Sequence, residues 1–382
     1  MAKPEYTRSL DERIARWKAF HAGDAAGDLM CFVWSWGDRT PMLGGRMIGR
    51  ANELGPAEIL KPSAIDTMVD EYLTDFRASA DNVLQFDDDF MPEAFVDVGI
   101  GVTNAALAGH GEPFFDEFTS WCEPELDWDQ IAELKFDPSD KWIEFYLNVN
   151  RALWARWEGD FHVSAFGHRS PLDAANGIRG NALFEELYTG PVFVKALIDY
   201  CADWSIAMEQ HLAANDGRPD LSEWGTSIWG QWMPPGTIFV NGDPVGLISR
   251  EMAIEFEQPY TAKLFEGTGG GFYHNHTMGL YQADLVTKTP GTHIQFMIDD
   301  PKCPTTAEAL LHDPEMRDML IECSLETPIG FFPEYEQVDA LLDIVKQGRF
   351  VLGISAGAQT VKDRANELTQ LISRARAISN LD

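Results

Sequence analysis

Two periodicities alternate along this chain. Short apolar runs of strand length are separated by longer stretches in which apolar residues recur every three to four positions. Residues 7–21 read as a helix, with Ile14, Trp17 and Phe20 three apart and Thr7, Ser9 or Asp11 as its cap. "MCFVWSW" (30–36) reads as a strand, and "PSAIDTMVDEYLTDFRAS" (62–79) as a helix with Ile65, Met68, Tyr72 and Phe76 on one face. "NVLQF" (82–86) and "FHVSAFG" (161–167) are strand-like, and a helix is expected from Pro171. Further strands are expected in "TSIWGQW" (226–232), "TIFVNGD" (237–243), "GFYHNH" (271–276), "THIQFMID" (292–299), "PIGFFPE" (328–334) and "RFVLGIS" (349–355). Helical patterns fill most gaps, among them 304–323 and 335–347.

About eight strands, each followed by a helix, predict a single (β/α)8 TIM-type barrel over residues 1–382, with residues 1–29 as a helical N-terminal extension. An open doubly wound sheet would carry a glycine-rich phosphate turn after its first strand, and "VWSWGDRTP" is not one.

In such barrels chemistry gathers at the C-terminal ends of the strands. Those ends hold Trp34, Trp36, Asp38 and Arg39; Asp87, Asp88 and Asp89; His168 and Arg169; Trp229, Gln231, Trp232, Asn241 and Asp243; His274 and His276; Asp299 and Asp300; Glu334; and Ser355. Each has a plain structural alternative. Three aspartates can be a solvated turn, a tryptophan is usually core, and His168-Arg169 can be an anion clamp or a surface pair.

His274 and His276 are two apart, so a strand points both to one face. That geometry suits zinc, with Asp243, Glu255, Asp299 or Glu334 as the source of a third ligand. It equally suits an acid/base or substrate-binding pair, or two histidines packed together.

Composition narrows the partners. The 61 acidic and 29 basic residues give a net charge of −32, which disfavours nucleic acid and anionic membranes. With 45% hydrophobic residues, a large core is expected. Five cysteines without a CxxC pair fit neither a disulfide framework nor a zinc finger. No signal-like or membrane-spanning run is found, so a cytoplasmic protein is expected.

Several stretches together resemble the uroporphyrinogen decarboxylase superfamily, which includes corrinoid-linked methyltransferases. They are "TRSLDERIARWKAFHAGD", residues 170–204, "NGDPVGLISREMAIEFEQPYTAKLFEG" (241–267), "GGGFYHNHTMG" (269–279) and "RFVLGISAGAQTVKDRANELTQLI". The resemblance implies a barrel with its site at the C-terminal mouth. "NVLQFDDDFMP" is similar to the decarboxylase motif that carries the catalytic aspartate, and the match falls on Asp88. The arginine-bearing N-terminal motif of the decarboxylase is absent, with only Arg39 nearby. The methyltransferases hold zinc with His, Cys and Cys. Here His274 and His276 match the first two positions, the last cysteine is missing, and the resemblance leaves Glu255, Asp299 or Glu334 to complete the set.

The leading expectation is an enzyme that moves a methyl group from a small methylated, methoxy-aromatic type of substrate to a corrinoid protein. Asp88, His274 and His276 would be catalytic. Trp34, Trp36, Trp229 and Trp232 would line the mouth, and Arg39, His168, Arg169 and Asn241 would contact substrate. One alternative is a metal-independent decarboxylase or lyase that uses Asp88 and His274 on a small carboxylate. Another is a non-catalytic barrel that binds a tetrapyrrole or corrinoid. A homodimer is also compatible with the sequence.

Overall fold

The computed structural model describes residues 9–23, 25–34, 44–83, 86–96, 98–109, 111–116, 119–163, 167–355 and 363–381. Trp36 and Arg39 lie outside these residues. The strands are β1 (Leu29–Trp34), β2 (Glu93–Ala94), β3 (Phe114–Phe115), β4 (Ser120–Trp121), β5 (His162–Val163), β6 (Gly167–Arg169), β7 (Thr226–Ile228), β8 (Gln231–Met233), β9 (Ile238–Asn241), β10 (Gly271–His276), β11 (Thr292–Ile298), β12 (Ile329–Phe331) and β13 (Phe350–Ser355).

Seven of them form one parallel sheet in the order β1-β13-β12-β11-β10-β9-β6. The order walks back along the chain, as expected when helices carry the chain over the outside of a parallel sheet. β2 and β5 form a separate parallel pair, with Glu93 opposite His162. They sit between the two edges of the sheet: β5 leads into β6 after three residues, and the segment before β2 bonds to β1 through Asp89 N–H to Cys31 O, 3.0 Å. The ring of strands is compatible with a TIM-type barrel, but no continuous backbone ladder closes it among the described residues.

Alternation along the strands sorts their side chains. Met30, Phe32 and Trp34 of β1 join an interior cluster with Phe272 of β10, Ile294 and Phe296 of β11, and Val351 of β13. Leu29, Cys31 and Val33, of opposite parity, pack outward with Phe350, Leu352 and Ile354. Both faces of the sheet are therefore apolar, and its strands read as near-continuous hydrophobic runs. His274 and His276 share the parity of inward Phe272, and Asn241 that of Phe239, so all three point inward at the C-terminal ends of their strands.

The helix α1 (Leu10–Ala22) starts with a capping box between Ser9 and Glu12. It is not an appendage. Its Leu10, Ile14, Trp17 and Phe20 belong to the interior cluster, at the end where the strands begin. Two expected strands are corrected. The helix Pro62–Val83 runs through the start of "NVLQF", so Asn82 and Val83 are helical. Residues 226–233 are not a strand of the parallel sheet but the antiparallel hairpin β7–β8, with Ile228 opposite Gln231. The connecting pair Trp229-Gly230 has φ of +51° and +73°, the left-handed pair that a tight hairpin needs. Gly230 adopts this freely, whereas Trp229 pays about 1 kcal/mol or more for it. The strained turn drives the Trp229 ring among Phe239, Phe272, Phe296 and Phe332, at 5.1–6.3 Å between centroids.

Candidate metal centre and adjoining cavity

The end of β10 and the turn after β9 bring together three atoms that could ligate a metal. His274 Nε2 and His276 Nε2 are 3.1 Å apart. Asp243 Oδ1 lies 3.1 Å from His276 Nε2 and 3.8 Å from His274 Nε2. A tetrahedral ion with bonds of 2.0–2.1 Å sets its ligands roughly 3.3 Å apart, and the three observed edges bracket that value. Among the described residues this is the group of His, Cys, Asp and Glu that could hold a metal ion.

Neighbours hold two of the three ligands. Asp300 Oδ1 is 2.9 Å from His276 Nδ1, and its Oδ2 accepts from Met278 N–H at 2.7 Å. A carboxylate on the far nitrogen of a histidine fixes the ring and raises its basicity. Asn241 Nδ2 donates to Asp243 Oδ2 at 3.0 Å. His274 is held by packing, with Trp229 at 5.0 Å and Phe239 at 6.0 Å. Its Nδ1 is buried and makes no hydrogen bond.

The charge states of the two histidines differ. Burial, helped by His276, pushes the pKa of His274 down to about 3 against the pull of Asp243, so its nitrogen is free of a second proton. The hydrogen bond with Asp243 raises that of His276 against burial, with Asp300 adding to the rise. Burial raises Asp243, but the bond to His276 and the charge of both histidines carry it below the ordinary carboxylate value. Two histidines and a carboxylate this close could hold zinc or iron.

A cavity of about 290 Å³ opens beside His274. Trp229, Phe239, Phe95 and Tyr146 wall it, and Asn241, His168 and Arg169 reach it. That volume is at the small end for ligand pockets, the size of one ring with its substituents.

The remaining expected residues fall elsewhere or are already engaged. Asp88 is fully buried and does not line the cavity. Its Oδ1 accepts from Arg13 Nη1 at 2.6 Å and its Oδ2 from Val33 N–H at 2.9 Å, so it ties α1 to β1. Arg169 lines the cavity, yet it forms a two-pronged pair with Asp173 at 2.6 and 2.8 Å and donates to Asn104. His168 Nε2 meets Glu209 Oε1 at 2.8 Å. Trp34 is core, stacked on Phe332 at 4.9 Å, and Trp232 donates to Trp224 O. Of the expected third ligands, Glu255 pairs with Lys195 at 2.7 Å, Asp299 accepts from Thr306 N–H, and Glu334 caps the helix Tyr335–Val345. None of those three joins the histidines; Asp243 does. Asp300, which orients His276, and Phe239, which faces His274, carry no signal beyond their position at or near a strand end.

Among solved structures, the chain is similar to a methyltransferase from Methanosarcina mazei, with 9% identity, a TM-score of 0.52, and 96% of this chain and 98% of that chain covered. At that identity the likeness shows a shared fold. No family model and no curated protein matches the sequence.

Proposed function

We propose that this chain is a metal-dependent, methyltransferase-like enzyme of the uroporphyrinogen decarboxylase superfamily, and that its ring of strands is a closed (β/α)8 barrel. His274, His276 and Asp243 hold zinc at the mouth. The substrate is a small, one-ring methylated molecule, and the methyl acceptor is a corrinoid protein. The observation that carries the reading is the triangle of Nε2, Nε2 and Oδ1 atoms, whose edges match a tetrahedral metal.

Zinc there supplies Lewis acidity to a substrate oxygen or sulfur at the mouth. The protein's own residues do the rest. Asp300 keeps His276 turned so that Nε2 faces the centre, and Asn241 keeps the ligating oxygen of Asp243 aimed at it. Trp229, Phe239 and Phe95 exclude water from one side of His274 and give a ring an apolar berth. The metal-independent lyase reading has less support, because Asp88 is paired with Arg13 and Arg169 with Asp173.

Metal analysis of the purified protein tests the reading, beside a His274→Ala/His276→Ala double variant. The expected result is about one zinc per chain, absent from the variant. Demethylation of 2-methoxyphenol with free cob(I)alamin as acceptor should follow the metal content. Protein without metal, or metal retained by the double variant, would overturn the assignment.

A further inference from the structure

Trp229 is an unusual residue for the place it holds. It opens a two-residue hairpin turn at φ +51°, where asparagine, aspartate or glycine is the ordinary choice. Its ring lines the cavity and stands 5.0 Å from His274. Position 230 leaves no room for a side chain, because a Cβ there would lie 2.5 Å from the Phe90 ring. The turn that carries this cavity wall is therefore strained at its first residue and bare at its second.

Ties from outside the hairpin hold it. Met91 N–H donates to Gly230 O at 2.8 Å. Glu93 of β2 brings a carboxylate to the same turn: its Oε2 accepts from Gly230 N–H at 3.2 Å and lies 3.2 Å from the Ser227 hydroxyl. Burial pushes the pKa of Glu93 up to about 7, and the N–H groups of Gly230 and Trp229 and the Ser227 hydroxyl restrain that rise. Successive N–H groups of a left-handed turn form a concave site for an anion, and here the anion is a side chain of the protein itself. Among the described residues, every hydrogen bond of the Glu93 side chain goes to this hairpin. Glu93 is fully buried and does not line the cavity, so it has no direct contact to offer a bound molecule.

We propose that Glu93 is a positioning residue for the cavity: its carboxylate fixes the Trp229-Gly230 turn in the left-handed conformation, and the turn sets the Trp229 ring as the cavity wall beside His274. Its effect on binding passes through Trp229. The consequence for a ligand rests on the functional reading above; the consequence for the ring does not.

The test compares Glu93→Met, which keeps the bulk and removes the acceptor, with Glu93→Gln, which keeps an acceptor oxygen, each with and without Trp229→Phe. Near-ultraviolet circular dichroism reads the ring with no ligand present, because the difference between a protein and its Trp229→Phe counterpart is the signal of that one indole. The signal should be lost in Glu93→Met and kept in Glu93→Gln. Titration of 2-methoxyphenol reads the consequence. Its Kd should rise roughly tenfold in Glu93→Met, stay within about twofold in Glu93→Gln, and respond to Glu93→Met no further once Trp229 is phenylalanine. An indole signal intact in Glu93→Met would mean that the turn holds itself, and would overturn the proposal. So would a full tenfold loss in the Trp229→Phe background, because Glu93 would then act by another path. Should Glu93→Met fail to fold, Glu93→Asp takes its place: it keeps the charge, draws the carboxylate back by one methylene and should lose the same signal. If the parent protein binds no 2-methoxyphenol, the functional reading fails and the circular dichroism still decides this proposal.

Discussion

The protein has two acidic centres made of the same residue type, and they are built for opposite ends. At the base, Asp88 and Asp89 are fully buried, each answered by an arginine of α1: Arg13 at 2.6 Å and Arg16 at 2.8 Å. Backbone N–H groups of Val33 and Cys31 take their second oxygens. At the mouth, Asp243 and Asp300 are answered by histidines, and the Asp243 side chain is 44% exposed. An arginine is permanently charged, so the base pairs form a closed account with nothing left to bind. A histidine can give up its proton to a metal, so the mouth is an open one. Carboxylates at strand ends thus separate by the base that faces them.

The largest expected effect breaks the base. Arg13→Ala leaves Asp88 buried without its countercharge, which costs about 3–5 kcal/mol. Urea unfolding should show that loss, while whatever protein remains folded still holds its metal. Asp243→Ala should do the converse, removing the metal and shifting the stability of metal-free protein by about 1 kcal/mol or less. If Asp243→Ala were the more destabilising of the two in metal-free protein, the division between a structural base and a functional mouth would fail.

Chelation sharpens the same contrast. Zinc at a free concentration about a hundredfold above its Kd stabilises the folded chain by roughly 2.7 kcal/mol. A chelator should remove that increment from the parent protein and from Lys18→Ala, whose ion pair with Glu223 is on the surface. It should remove nothing from Asp243→Ala. Thermal melts with and without chelator measure it.

A smaller effect separates ligand from support. Asp300 is outside the proposed ligand triangle but holds His276 Nδ1. Asp300→Asn should weaken zinc affinity by about 10–100-fold with all three ligands in place. Glu334→Gln, at a helix cap outside the cluster, should leave the affinity unchanged. Competition against a chromogenic chelator gives both numbers.

Much of the fold was legible in the sequence, because alternation and helical spacing are local. The bounds 271–276 agree with β10 to the residue, and Ser9 was among the caps considered for α1. The hairpin at 226–233 was not legible as a hairpin. Its turn is Trp-Gly, and nothing local says that a tryptophan will take a positive φ so that its ring can fill the interior. The pairing of His274 with His276 could be read from period two, but the acid that joins them could not be singled out. Asp243, Glu255, Asp299 and Glu334 are acids spread over about ninety positions, and of the four the fold brings Asp243 beside the two histidines. The ion pair of Asp88 was hidden for the complementary reason. Its partner Arg13 is 75 residues away, and no local pattern reveals a buried ion pair of that separation.

The smallest effect concerns histidines at the two ends. His162 opens β5, is 4% exposed, packs on Trp224 and has an Nε2 with no partner. Burial alone pushes its pKa down to about 4. In the unfolded chain the ring takes a proton near pH 6.5, and in the folded chain it does not. Its contribution is therefore complete above about pH 6.5 and is lost as the pH falls towards 4, at roughly 1.4 kcal/mol per pH unit. His276 at the mouth has the opposite sign. Its pKa is raised, chiefly by Asp243, so its contribution is complete below about pH 6.5 and is lost as the pH rises through the folded value. In metal-free protein, His162→Phe should flatten the fall in unfolding free energy between pH 6 and 5 by about 1.4 kcal/mol per unit. His276→Gln should leave that slope alone and act only above pH 6.5. Glu93 and Glu257, both buried with pKa values pushed up to about 7, titrate in the same range but are common to every protein compared, so they cancel in the differences. Urea titrations at half-unit pH steps resolve the two signs, and a single shared sign would mean that the mouth is as closed as the base.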